Sequence, residues 1–224
     1  MCGRYTLTTP NERLAEAFAL ADVPDFIPRY NIAPTQDGAV VRADAGVRRL
    51  VQLRWGLIPG WADDPAIGNR MINARCETAA SKPAFRSAFR RRRCLVPADG
   101  FYEWQKLEKR KQPFCIRRRD EGVFGFAGLW ERWQDPAGRE IESYTILTTE
   151  PNEVLRRLHN RMPVVLSPDA YDLWLDPQVQ EVAKIEPLLR PAPDDELVAF
   201  PVSLRVNSPS NDDPSCIRPV DGAG

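Results

Sequence analysis

Hydrophobic and polar positions alternate with a period of two over much of this chain, and short stretches of helical period interrupt the alternation. Cys2–Leu7 reads as a first strand. The following TTPNE places Thr9 as N-cap, Pro10 at the first helical position and Glu12 as the return of a capping box, predicting a helix through about Leu20 with Leu14 and Phe18 on one face. Residues 23–37 carry Pro24, Pro28 and Pro34 and read as irregular loop, after which GAVV and VRRLVQLRWGL predict two strands joined around Asp44 to Gly46. Pro59, Gly60 and the polar ADDPAIGNR interrupt the pattern, and KPAFRSAFRR sets Phe85 and Phe89 four apart on a short helix.

The middle of the chain returns to strands: RCLVP, FYEWQKL after an Asp99-Gly100 turn, PFCIRRR, GVFGFAGLW and EIESYTILTT. TEPNEVLRRL then turns helical and ends at His159, MPVVL predicts a strand, SPDAYDLWL another capped helix, and residues 179–189 a last one. No repeat of 20 to 50 residues and no long linker divides the chain. The expectation is one α+β domain over residues 1–224, built on a mostly antiparallel, barrel-like sheet with peripheral helices and a short irregular tail after about 219.

Composition narrows the function classes. At 224 residues the chain can bury a sizeable core without disulfides, and its five cysteines (2, 76, 94, 115 and 216) are odd in number and never arranged as C-x-x-C. That pattern points to a reducing cytoplasm. With a single histidine and no paired spacing, no metal site or other cofactor is expected. No apolar run approaches a membrane span, so a membrane role is not expected either. The 31 basic and 31 acidic residues cancel, leaving no long-range attraction for nucleic acid. The cations are nevertheless overwhelmingly arginine, the side chain suited to bidentate phosphate contacts, although RRRR at 90–93 reads only as a solvated helix end.

Four residues carry candidate chemistry. If Met1 is lost, Cys2 presents a free α-amine beside a thiol. An amine of pKa ~7.7–8.0 condenses with aldehydes, and the thiol can then close a thiazolidine ring on the imine. In MINARCET, an extended backbone puts Asn73 and Arg75 on one face, an amide beside a phosphate-binding cation. Glu103 lies between Tyr102 and Trp104 and faces away from both, where apolar surroundings favour proton transfer. His159, at a helix end, is two residues from Arg161. Trp55, flanked by Leu53 and Leu57, is expected in the core, and Trp61, beside Pro59 and Gly60, on the surface.

Seven ordered segments, MCGRY, YNIAPTQ, WGLIPGWA, INARCET, DGFYEWQ, HNRMPVVL and VNSPSNDDP, together resemble the SOS-response-associated peptidase family across nearly the whole chain. The resemblance implies a sensor and shield of abasic sites in single-stranded DNA, with Met1 removed by self-cleavage and Cys2 bonded covalently to the lesion. It implies that Asn73 holds the terminal amine and sugar, Glu103 moves protons, and His159 assists sugar ring opening and crosslink reversal. Arg75 and Arg161 would clamp phosphates, with Arg4, Asn31, Pro34, Thr148 and Arg86 along the DNA channel and Trp61 and Trp104 against bases. A monomer without an obligate protein partner, cytoplasmic and nucleoid-associated when bound to DNA, is expected. Two other readings stand beside it: a peptidase acting on other proteins through Cys2, His159 and Glu103, and a non-covalent single-stranded DNA-binding module.

Overall fold

A computed structural model describes residues 2–44, 46–108 and 110–220. The strands in chain order are β1 (Tyr5–Leu7), β2 (Arg29–Ile32), β3 (Asp37–Asp44), β4 (Val47–Trp55), β5 (Asn73–Arg75), β6 (Arg93–Ala98), β7 (Gly100–Lys106), β8 (Lys111–Arg118), β9 (Phe124–Gln134), β10 (Glu140–Thr149), β11 (Met162–Pro163), β12 (Val165–Leu166) and β13 (Leu197–Pro201). Short helices punctuate them: α1 (Asn11–Phe18), α2 (Cys76–Ala79), α3 (Arg86–Arg91), α4 (Glu153–Arg156), α5 (Tyr171–Leu175) and α6 (Val182–Ile185).

Strands β10, β4, β3, β6 and β9 pair in that order, and β9 pairs back onto β10, closing a five-stranded barrel. All its pairings are antiparallel except β10 with β4, where Ser143 and Tyr144 lie beside Arg54 and Trp55. Closure leaves no free edge among the five. β6 is buried at every position, with α3, α5 and β1 packed against it in addition to its barrel neighbours. A second sheet, β13-β8-β7-β1-β2, is antiparallel throughout. The α+β, barrel-based architecture read from the alternation is the one observed.

The link between barrel and second sheet is β1. Its Tyr5 donates or accepts at 2.7 Å with the Tyr144 hydroxyl and packs edge-on against Trp55, ring centroids 5.2 Å apart. Trp55 in turn stacks on Tyr144 and donates to the Ile72 carbonyl at 2.9 Å, so every buried polar tip has a partner. Gly38 makes room for this: a Cβ there would sit 2.2 and 2.3 Å from the two tyrosine hydroxyls.

Several expectations need correction. Pairing begins at Tyr5 rather than Cys2, and α1 ends at Phe18, with Ala19 left-handed. Thr9 does not cap α1, because its hydroxyl donates to Asp99 at 3.0 Å. The proline-rich loop hides β2, an edge strand whose backbone Asp212 holds from outside the sheet. MPVVL is split between two partners, β11 on β10 and β12 on β9. The last predicted helix is shortened to α6 and a 3-10 turn over Glu186–Leu188, and β13 was not foreseen. Arg93 is not solvated but buried, donating to the carbonyls of Phe89, Arg90, Trp174, Asp176 and Val179. Burial lowers its pKa to about 10, which leaves it charged at neutral pH.

Candidate active site at the amino terminus

The first described residues run between the two sheets. Asp99, in the bend before β7, fixes their exit: it accepts from the hydroxyls of Thr6, Thr8 and Thr9 and from the backbone N–H groups of Thr8 and Thr9. On the other side, the Tyr102 N–H donates to the Arg4 carbonyl at 3.0 Å, continuing the β1–β7 pairing toward residue 2. Cys2 is consequently fully buried, its sulfur 3.8 Å from the Arg4 carbonyl. Burial first, and the charge of Glu103 second, push the thiol well above its ordinary pKa. The sulfur is therefore a neutral thiol at physiological pH.

Asn73 reaches this residue from β5, donating from Nδ2 to the Cys2 carbonyl at 2.7 Å. Its Oδ1 is buried and accepts no hydrogen bond among the described residues. Glu103, also buried, belongs to β7, where alternation puts Tyr102 and Trp104 on one face, their rings 6.5 Å apart, and the carboxylate on the other.

His159 follows α4, whose cap is Asn152, accepting from the Leu155 N–H at 3.0 Å. The Arg161 N–H donates to His159 Nδ1 at 3.0 Å, and the Arg161 carbonyl lies 3.3 Å from the same nitrogen. The Arg161 guanidinium forms a two-pronged pair with Glu77 at 2.6 and 2.9 Å and also donates to the Thr148 carbonyl. That pairing holds the Glu77 carboxyl below the ordinary carboxylate range.

The remaining expected residues fall into groups. Gly3, Arg4, Pro34, Trp104, Lys111 and Asn207 line one open cleft next to Cys2. Arg4 is anchored there, donating to Asn31 Oδ1 at 2.8 Å and to the carbonyls of Val206 and Asn207, and lies 6.0 Å from the Trp104 ring centre. Trp104 donates to Asn207 Oδ1 at 2.7 Å. Asn31 and Thr148 turn their side chains into the protein: Asn31 donates to the carbonyls of Val206, Ser208 and Asn211, and Thr148 to that of Ala74. Asn31 thus shapes the cleft wall from behind. Arg75 and Arg86 are exposed, as is Trp61 at 60%, whereas Trp55 is buried as expected. Among the described residues no hydrogen bond links Trp61 or Arg86 to the group around Cys2.

Sequence reasoning missed Glu77, Lys111 and Asn207. Glu77 and Asn207 lie inside the quoted segments INARCET and VNSPSNDDP, so their positions were available but not their partners. No group of three His, Cys, Asp or Glu side chains among the described residues is placed to hold a metal ion, and no described helix is long and apolar enough to cross a membrane.

A barrel with a flanking sheet that buries an amino-terminal cysteine against an amide and a carboxylate defines the class. Over residues 1–209 the chain matches the family described as SOS response associated peptidase (SRAP), and it belongs to that family. It is 42% identical to abasic site processing protein YoqW of Bacillus subtilis, over 97% of this chain and 99% of that one. It is also 34% identical to abasic site processing protein HMCES of Gallus gallus, over 99% of this chain and 78% of the relative. Among solved structures, a protein from Bacteroides thetaiotaomicron superposes with a TM-score of 0.86 at 25% identity, covering 98% of this chain and all (100%) of that one.

Proposed function

We propose that this protein senses and shields abasic sites in single-stranded DNA by capturing them covalently at Cys2. The observation that carries the reading is the Asn73 amide, anchored to the Cys2 carbonyl with a buried Oδ1 left without a hydrogen bond among the described residues. Loss of Met1 by self-cleavage would replace the single amide N–H of residue 2 with an α-amine on the residue whose carbonyl Asn73 already holds, adding donors that such an oxygen can accept. The names of the relatives, abasic site processing proteins, support the substrate.

The chemistry orders the steps, because the thiol closes the ring on an imine that must already exist. The amine attacks the aldehyde of the opened sugar first; a C–N bond forms and water leaves, giving an imine. The S–H then adds across the C=N bond, sulfur to carbon and proton to nitrogen, with Glu103 relaying the proton. One water is lost overall and no oxidant is needed. His159 assists ring opening and reversal. Arg75, Arg161, Arg4 and Arg86 contact phosphates, while Trp104 and Trp61 stack on bases, a contact worth about 1–3 kcal/mol whatever the base. Asn31, Pro34 and Thr148 frame the channel.

Intact mass spectrometry before and after incubation with abasic single-stranded DNA tests the reading. The expected masses are a chain without Met1 and, after incubation, a denaturation-resistant DNA adduct that Cys2→Ala does not form. An intact Met1 with no adduct, or an undiminished adduct from Cys2→Ala, refutes it.

A further inference from the structure

Glu77 has no part in the chemistry above, yet it occupies the Nη1–Nη2 edge of the guanidinium of a residue expected to hold DNA. It stands on α2, two residues past Arg75 and four past Asn73; Arg161 stands two residues past His159. One ion pair therefore ties the segment carrying the amide to the segment carrying the imidazole. Arg161 Nη1 and Nη2 donate to the two Glu77 oxygens at 2.6 and 2.9 Å, and Nη2 also donates to the Thr148 carbonyl. The backbone N–H of the same arginine donates to His159 Nδ1 at 3.0 Å. The carboxylate is the more open partner, its side chain 50% exposed against 14% for Arg161, so an incoming phosphate meets the acid before the arginine.

From this geometry we infer that Glu77 is a positioning residue, one that occupies Arg161 in the free protein and, through it, keeps His159 in register with Asn73; the inference rests on the covalent-capture reading above. A phosphate and a carboxylate compete for the same planar fork. While Glu77 holds it, undamaged single strands gain little from Arg161. Removing the charge gives DNA one more free cation and at the same time releases the loop that orients the imidazole. The two effects have opposite signs, binding stronger and chemistry slower.

The test uses the full chain and its Glu77→Gln and Glu77→Asp variants. Binding to undamaged single-stranded DNA is measured across a salt series, and crosslinking is followed in single turnover at saturating abasic DNA. Glu77→Gln is expected to bind more tightly, its plot of log affinity against log salt steeper by about 0.7, the share of one added phosphate contact on a single strand. Its crosslinking is expected to slow about tenfold, the scale of a small misplacement of a catalytic group. Glu77→Asp, which keeps the charge, is expected to return both quantities toward the parent. Glu77→Gln that changes neither quantity overturns the inference, and so does one that weakens binding and slows crosslinking together, since a purely structural role does that. If the parent chain itself forms no adduct, the covalent-capture reading fails. The salt slope then still decides whether Glu77 occupies Arg161, a steeper slope supporting that and an unchanged one refuting it.

Discussion

The barrel interior and the seam beside it are held in different ways. Inside the barrel, Tyr5, Trp55, Phe126 and Tyr144 fill space by ring packing, with the tyrosine hydroxyl pair as an internal polar link. Along the seam, single side chains each gather several backbone groups: Asp99 takes the N–H groups of Thr8 and Thr9, Asp212 those of Tyr30 and Asn31, and Asn31 three carbonyls of the loop after β13. Packing energy is shared among many contacts, whereas a carboxylate that organises five donors has no substitute. Stability should therefore reside mainly in the barrel, and the geometry of the site in the seam.

That division can be broken in order of effect. Cys2→Ala should abolish the DNA adduct, seen as loss of the shifted band on a denaturing gel, while calorimetry finds stability lowered by no more than about 1–2 kcal/mol. Trp55→Ala should do the reverse, costing about 3–5 kcal/mol and lowering Tm by about 6–20 °C, while the protein still folded at 20 °C continues to form adduct. Asp99→Asn sharpens the contrast: keeping the shape but losing the full set of acceptors should cost about 1–3 kcal/mol in denaturant titrations and slow adduct formation several-fold. A slow, stable Asp99→Asn variant would place the aspartate in geometry alone.

The smallest effect concerns pH. The Glu77 pKa is depressed in the folded protein by Arg161, so its contribution is present above the unfolded value of about 4.3 and is lost as pH falls through the folded one. With its side chain half exposed, that contribution is below about 1 kcal/mol. Comparing urea midpoints of the parent and Glu77→Gln at pH 7 and pH 3 should show a small difference at the higher pH that shrinks at the lower.

The strands of the barrel could be read from alternation because their outward and inward residues differ in kind, as at the end of β4, where Leu53 and Trp55 are buried and Gln52 is exposed. Short elements escaped where a long-range partner overrides local preference. RYNI pairs as β2 only because β1 and Asp212 are there to receive it, and Thr9 abandons its capping position for a carboxylate 90 residues away. Arg93 shows the limit most clearly, since nothing in RRRR separates the arginine that enters the protein from the three before it. At the site, residue types singled out Cys2, Asn73, Glu103 and His159; the structure joins Asn73 to Cys2 and His159 to Arg161. Pairwise partners did not follow from type: the acid on Arg161 and the amide behind Arg4 are facts of tertiary structure.

Because β1 pairs with Phe101 as well as with Ile32, the start of the chain cannot reach its place until about the first half has been synthesised. Synthesis thus divides the life of the initiator methionine into two periods. Before β7 leaves the ribosome the amino terminus is open to any processing enzyme that meets it; afterwards Cys2 is enclosed. Slowing translation between residues 30 and 100 lengthens the first period, so on the covalent-capture reading proposed above the route by which Met1 would be removed becomes a question of clock time, answerable by pulse labelling of nascent chains.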